Sequence, residues 1–146
     1  MENLETLSEQ LTAKAKIDKI DALGVGAVIL GSGKVLILRR KADDTFPGIY
    51  EIPGGGVDEG ETLPDALKRE VYEETGLRLK SIDRYISSFD YNTGKGRKRE
   101  FDFVVSVEIG DISLTEHDDY KWAARDELSK YKITPEMKKQ IEKAFQ

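Results

Sequence analysis

Two short apolar runs near the start of the chain predict a β-hairpin. The first run covers residues 23–30, and the second lies within residues 34–40, where apolar positions are followed by two arginines. Between them, Gly31-Ser32-Gly33 provides the small residues that tight turns favour. Residues 1–22 are more polar, yet leucines recur there at helical spacing, which indicates an N-terminal arm or short helix. These leucines are Leu4, Leu7 and Leu11.

Two later segments have the end signals and the periodicity of α-helices. Thr62 can accept a hydrogen bond at a helix start, Pro64 fits the first turn, and Gly76 fits the left-handed position that ends a helix. The enclosed helix has about 13 residues. Thr134 and Pro135 repeat the start signal before a second helix, with which the sequence ends. The apolar stripes consist of Leu63, Leu67 and Val71 in the first helix and of Met137, Ile141 and Phe145 in the second.

The segment after the first hairpin is predicted to be mostly loop. Residues 41–49 contain paired aspartates and a Pro-Gly step, which favour turns. A short stretch at 50–52 leads into the run Pro53-Gly54-Gly55-Gly56. This glycine run predicts a loop whose backbone amides and carbonyls can approach a metal or a phosphate without side-chain obstruction.

A second hairpin is predicted in the second half of the chain. Residues 77–89 and 99–109 are rich in β-branched and aromatic residues, and the stretch 90–98 between them contains turn residues. Strands outnumber helices, and they do not alternate with helices as in βαβ units. We therefore expect an α+β sandwich, with residues 23–146 forming a single domain.

Composition narrows the chemistry that the chain can perform. With 146 residues, of which 38% are apolar, the chain has the size and apolar content of one domain. It has no cysteine and only one histidine, which excludes disulfides, thiolate nucleophiles and multi-histidine metal sites. A bound metal would therefore be held by oxygen atoms, which favours Mg²⁺ or Mn²⁺. No long apolar run or signal-peptide pattern is present, so we expect a cytoplasmic protein without membrane contact.

Acidic residues concentrate in one part of the chain. Between residues 51 and 76 there are eight acidic residues and two basic ones, whereas the net charge of the whole chain is −5. Such a cluster is either a solvated helix face or a cation site. At about 100° per residue, Glu70, Glu73 and Glu74 share one face of the predicted helix. Arg69 is the only adjacent base and cannot neutralise all three, which favours a metal site.

The region from Gly55 to Leu77 fits the pattern G-x5-E-x7-R-E-U-x-E-E-x-G-U at every specified position. The nine matching residues are Gly55, Glu61, Arg69, Glu70, Val71, Glu73, Glu74, Gly76 and Leu77. This pattern resembles the Nudix box, and nine positions at fixed spacing make chance agreement negligible. The flanking segments 35–40 and 50–55 resemble those of the MutT-like subgroup, as do Glu116-His117 and Trp122.

The resemblance implies a Nudix-type α/β/α sandwich with a mixed β-sheet between helices, and a hydrolase. It also implies that Arg69 and Glu61 hold the glycine loop and the helix together. The general base would be Glu70, which we favour, or Glu116. The implied ligands of Mg²⁺, or alternatively Mn²⁺, are the carbonyl near Gly54 and the carboxylates of Glu70, Glu73 and Glu74. The implied substrate-binding residues are Arg39, Glu51 and Gly55.

Several polar or aromatic residues outside this pattern are given ordinary structural roles. The basic stretch at the tip of the second hairpin is interpreted as a solubility feature rather than a phosphate site. It contains Lys95, Arg97, Lys98 and Arg99. His117 is assigned no direct role, and Trp122 is predicted to lie in the core.

The sequence therefore predicts Mg²⁺-dependent hydrolysis of a diphosphate linkage in a small nucleotide. A nucleoside triphosphate, cleaved to the monophosphate and pyrophosphate, is the expected substrate, because features typical of other subgroups are absent. A nucleotide sensor without turnover and an RNA 5′-end hydrolase stay open as alternatives. The overall acidity disfavours nucleic acid as a partner, and a monomer or a homodimer is expected.

Overall fold

A mixed β-sheet with helices on both of its faces forms the fold. The computed structural model describes residues 3–146. Its helices are α1 (Leu4–Ile17), α2 (Leu63–Thr75) and α3 (Pro135–Ala144), with a 3₁₀ helix at Arg125–Lys130. Its strands are β1 (Ala22–Gly31), β2 (Lys34–Arg40), β3 (Tyr50–Glu51), β4 (Gly54–Gly56), β5 (Leu79–Thr93), β6 (Gly96–Val107) and β7 (His117–Ala124).

The sheet combines one parallel pair of strands with antiparallel pairs. Its main order is β3-β2-β1-β6-β5, while β4 pairs with β1 and β7 pairs with β2. Strands β1 and β6 run parallel, with Val25 opposite Phe101. The predicted first hairpin is confirmed by the antiparallel pairing of β1 and β2, and the second by that of β5 and β6. The α+β class with a mixed sheet is therefore confirmed.

Two apolar cores lie on opposite faces of the sheet. Because successive strand residues point to opposite faces, Ala27 of β1 contributes to the core beneath α2, whereas Val28 contributes to the core beneath α3. The predicted helical stripes enter these cores. Leu63, Leu67 and Val71 are buried on the α2 side, and Ile141 is buried on the α3 side.

The predicted helix ends are confirmed. The Thr62 side chain accepts a hydrogen bond from the Asp65 amide, and Gly76 ends α2 with a φ of 76°. The second start signal acts in the same way, since the Thr134 side chain accepts from the Met137 amide. Within residues 1–22, α1 forms from Leu4 to Ile17 and packs on the α2 side of the sheet. Residues 1 and 2 of that predicted segment lie outside the described residues.

Two predicted loops are wrong in extent. The glycine run at 54–56 forms strand β4 and pairs with β1, where Gly54 lies opposite Gly26. Glycines on both strands permit this close approach, because a Cβ on Gly54 would lie 2.2 Å from the Val25 carbonyl oxygen. The predicted loop 90–98 is mostly strand, since cross-strand pairing continues to Thr93 and resumes at Gly96.

The prediction that Trp122 lies in the core is also wrong. Its side chain stays 36% exposed. Trp122 lies on β7, which in the described sheet pairs with β2 alone and so forms an edge. The indole ring rests against Gly31, where a Cβ would lie 3.5 Å from it. Because an edge strand has a neighbouring strand on one side only, part of the indole ring stays exposed to solvent.

No helix within residues 3–146 combines the length and the apolar character that crossing a membrane would need.

Candidate active site

Arg69 ties the segment before α2 to the helix and to β4. Its guanidinium donates to both carboxylate oxygens of Glu61, at 2.8 and 2.9 Å, and to the Gly56 carbonyl at 2.8 Å. The Asp58 amide also donates to Glu61, at 3.0 Å. The hydrogen bonds from Arg69 lower the pKa of Glu61. This geometry agrees with the predicted role of Arg69 and Glu61 in holding the glycine segment and the helix together.

Glu74 is the most buried carboxylate of the cluster. It is 5% exposed, and its Oε1 accepts a hydrogen bond from the Gly54 amide at 2.7 Å. Burial raises the pKa of Glu74 to about 9, and the nearby carboxylates of Glu70, Glu116 and Glu51 add to this rise. A carboxyl in this position costs free energy to ionise unless a cation lies beside it.

Glu70 lies one helical turn before Glu74 and faces the same strand. Its carboxylate fills the space next to Gly55, since a Cβ on Gly55 would lie 2.5 Å from Glu70 Oε2. Glu70 Oε1 accepts from Arg69 at 2.7 Å. Burial raises the pKa of Glu70, although Arg69 opposes the rise. Glu73 is different, because its side chain is 54% exposed and accepts from Arg69 at 3.2 Å.

The carboxylates occupy one face of α2, but they are not arranged as a finished metal cage. In the described part of the chain, no three acidic or histidine groups converge closely enough to form such a cage. Arg69 holds Glu70 and Glu73, while the Gly54 amide holds Glu74. The donor set nevertheless fits a hard divalent cation, because it consists of carboxylate and carbonyl oxygens and concentrates negative charge around a buried glutamate.

His117 joins this cluster, although no direct role is predicted for it from the sequence. It is 5% exposed, and its Nε2 donates to Glu51 Oε2 at 2.9 Å. Its Nδ1 lies 3.9 Å from Glu74 Oε2 and has no hydrogen-bond partner among the described residues. Arg40 approaches the other oxygen of Glu51 at 3.4 Å. The pairing of β7 with β2 buries His117 next to the acidic cluster, and the sequence pattern alone does not show this pairing.

Glu116 and Arg39 lie at different distances from the cluster. Glu116 is exposed and immediately precedes β7, and its charge contributes to the raised pKa values of Glu70 and Glu74. Arg39 is 40% exposed and its Nε donates to Asp118 at 2.6 Å. The charge of Glu116 therefore acts on the carboxylates, whereas Arg39 is paired with Asp118.

Comparisons with known proteins agree with this arrangement. The sequence model of the NUDIX domain matches residues 21–144. Nucleoside triphosphatase NudI of Escherichia coli (strain K12) is 35% identical over 119 residues, which cover 72% of this chain and 84% of that protein. ADP-ribose pyrophosphatase of Methanocaldococcus jannaschii is 36% identical over 93 residues, or 62% of this chain. The match spans 54% of that relative, so about half of its length.

Solved structures show the same architecture. The crystal structure of the MutT protein from Methanosarcina mazei Go1 superimposes with a TM-score of 0.74 and 26% identity, covering 85% of this chain and 91% of that one.

Proposed function

Because this chain belongs to the MutT-like Nudix hydrolases, we propose that it hydrolyses a nucleoside triphosphate to the monophosphate and pyrophosphate with Mg²⁺. The observation that supports the proposal is the placement of the buried Glu74 and the partly buried Glu70 against a strand of three glycines. Glu74 binds the Gly54 amide and Glu70 abuts Gly55, so acidic oxygens line a backbone without side chains. A polyphosphate can approach such a backbone closely.

The metal ligands in this proposal are Glu70, Glu73, Glu74 and the Gly54 carbonyl. A bound divalent ion would neutralise phosphate charge and lower the pKa of a water molecule. Glu73 is exposed enough to turn from Arg69 towards an ion. Arg69 and Glu61 would keep α2 in register with β4 throughout.

Glu70 is the proposed general base, with Glu116 as the alternative. Arg69 occupies Glu70 Oε1, which leaves Oε2 to accept a proton from the attacking water. Burial raises the pKa of Glu70 in the absence of a metal ion, and acid–base catalysis improves as the pKa of the base approaches the working pH. Glu51, Gly55 and Arg39 are the proposed substrate contacts. Of these, Gly55 borders Glu70 directly, and Glu51 contacts His117, which lies 3.9 Å from Glu74.

The substrate is tested by incubating the protein with the nucleoside triphosphates and with ADP-ribose, each with Mg²⁺ and with Mn²⁺. Products are identified by chromatography, and incorporation of ¹⁸O from water identifies the phosphorus atom that is attacked. We expect a nucleoside monophosphate and pyrophosphate. Preferential cleavage of ADP-ribose would replace the proposed substrate. Binding of nucleotide without release of any product would favour the sensor.

Glu70→Gln and Glu74→Gln test the residues, and Lys68→Gln on the exposed side of α2 is the matched control. A loss of about 4 kcal/mol of transition-state stabilisation corresponds to a kcat lower by roughly 10³-fold. Each glutamine variant should also lose the rise in melting temperature that Mg²⁺ gives the unaltered protein. A variant that keeps more than about a tenth of kcat at saturating Mg²⁺ would show that its glutamate is not an essential ligand or base.

A further inference from the structure

The four basic residues at the second hairpin have different surroundings. Arg97 donates to Asp90 at 2.9 Å. Arg99 donates to Asp90 at 2.7 Å and to Asp18 at 2.9 Å, so it connects the hairpin to the end of α1. Lys95 is exposed in the turn between β5 and β6. Three of the four are therefore explained as ion pairs or as a solvated turn residue, which leaves Lys98.

Lys98 reaches from β6 across β1 towards the glycine strand. Its side chain is half-buried. A Cβ on Gly24 would lie 2.8 Å from Lys98 Cε and 3.5 Å from Nζ, and a Cβ on Gly56 would lie 3.9 Å from Nζ. Gly24 and Gly56 face each other across β1 and β4. The absence of side chains at both positions leaves a path for the ammonium group to the edge of the candidate active site.

The ammonium group of Lys98 has no acidic partner within residues 3–146, where it forms neither an ion pair nor a side-chain hydrogen bond. Glu100, two residues further along β6, is the nearby acidic side chain on the same face. Burial raises its pKa well above that of an ordinary carboxyl, and the neighbouring Asp102 adds to the rise. The charge of Lys98 opposes this rise, but the two side chains form no ion pair within the described residues.

The position of Lys98 complements the carboxylates along β4. Glu70 lies against Gly55, and Lys98 lies beside the next residue, Gly56, so the two groups approach β4 from its opposite faces. Because β4 pairs with β1 alone among the described strands, both can reach its free edge. Arg69, which also reaches Gly56, is already shared among Glu61, Glu70, Glu73 and the Gly56 carbonyl. A polyphosphate bound at this edge carries several negative charges, which a basic side chain can help to neutralise. The ammonium group of Lys98 supplies a positive charge at the residue next to the one that Glu70 contacts.

We propose that Lys98 is a substrate-binding residue that donates a hydrogen bond to a phosphate oxygen of the substrate at the edge of β4. This inference rests on the proposed function, because it requires a substrate with a diphosphate linkage. It also extends that function, since it assigns recognition of the phosphate chain to a residue on β6, outside the acidic helix. Lys98 holds the substrate and takes no part in proton transfer.

The experiment compares Lys98→Gln and Lys98→Arg with the unaltered protein, and Lys95→Gln is the matched control in the same hairpin. KM and kcat are measured with the best triphosphate from the screen. Calorimetry with Mg²⁺ gives the Kd of methylenediphosphonate, a stable diphosphate analogue without a base or a sugar. Lys98→Gln should raise both KM and this Kd about tenfold while kcat changes less than about twofold, as for one lost charge-assisted contact. Lys98→Arg should recover most of the affinity, and Lys95→Gln should match the unaltered protein.

Three results would overturn the proposal. An unchanged KM in Lys98→Gln would show that the lysine does not contact the substrate. A raised KM with an unchanged methylenediphosphonate Kd would show that Lys98 contacts the base or sugar instead of phosphate. Equal losses in Lys98→Gln and Lys98→Arg, accompanied by a lower melting temperature, would show a structural role. If the unaltered protein cleaves no diphosphate substrate, the proposed function itself fails, which is a separate outcome.

Discussion

Replacing Arg69 tests how the glycine strand and the acidic helix are held together. Lysine at this position keeps the positive charge but loses the planar fork that contacts Glu61, Glu70 and the Gly56 carbonyl together. The Arg69 side chain is 27% exposed, and those of Glu61 and Glu70 are 15% and 12% exposed. The variant therefore leaves two largely buried carboxylates poorly paired.

The expected cost of Arg69→Lys in the free energy of unfolding follows from this geometry. Removing one partner of a buried ion pair costs about 3–5 kcal/mol, and exposed pairs contribute about 0–1 kcal/mol. Arg69 lies nearer the buried limit, and lysine retains one contact, so we expect a loss of about 2–3 kcal/mol.

The contribution of Glu61 to the free energy of unfolding has a defined pH dependence. Because Arg69 lowers the pKa of Glu61, this stabilisation is present above pH 4.5 and is lost as the pH falls through the lowered value.

The assay is urea denaturation at pH 7.5 without metal, followed by circular dichroism. Arg97→Lys is the control, since Arg97 is 50% exposed in its pair with Asp90 and should change stability by less than about 0.5 kcal/mol. A double-mutant cycle with Glu61→Gln should give a coupling energy of about 1.5–3 kcal/mol. A loss in Arg69→Lys no larger than in the control, or a coupling below about 0.5 kcal/mol, would refute this account of Arg69.

Two further predictions concern the glycine strand and a buried acid pair. Gly55→Ala should leave the fold intact but lower kcat by at least about tenfold. The new Cβ would lie 2.5 Å from the Glu70 carboxylate and would push it out of its position. Gly94→Ala, with no atom within 4 Å of its Cβ, is the control, and equal activity of the two variants would contradict the prediction. Glu100→Gln should be more stable than the unaltered protein, by an amount that grows as the pH rises above 4.5, because the pKa of Glu100 is raised by burial and by Asp102. Melting temperatures of both proteins, measured from about pH 5 to 8, test this prediction. The difference in the free energy of unfolding should change by up to about 1.4 kcal/mol per pH unit, and a constant difference would argue against the prediction.

Local signals in the sequence were sufficient for most elements of the fold. Thr62 and Gly76 delimit α2 because capping depends on residues within one turn of the helix end. The two hairpins follow from apolar runs, from segments rich in β-branched and aromatic residues, and from the glycine-containing turns between them. The acidic face of α2 follows from helical geometry alone, since Glu70 and Glu74 are one turn apart. The family also follows from the sequence, because the Nudix box is a contiguous pattern.

Only the tertiary structure determined which distant groups meet. The pairing of Gly24 and Gly26 with the glycine run turned a predicted loop into β4, since strand pairing depends on a partner about 30 residues away. Placing β7 beside β2 brought His117 to Glu51 and left Trp122 at an edge. Only the folded hairpin likewise shows that Arg97 and Arg99 form ion pairs and that Lys98 forms none within the described residues. Local composition encodes helix ends and turns, whereas burial, pKa and pairing of charges depend on the whole fold.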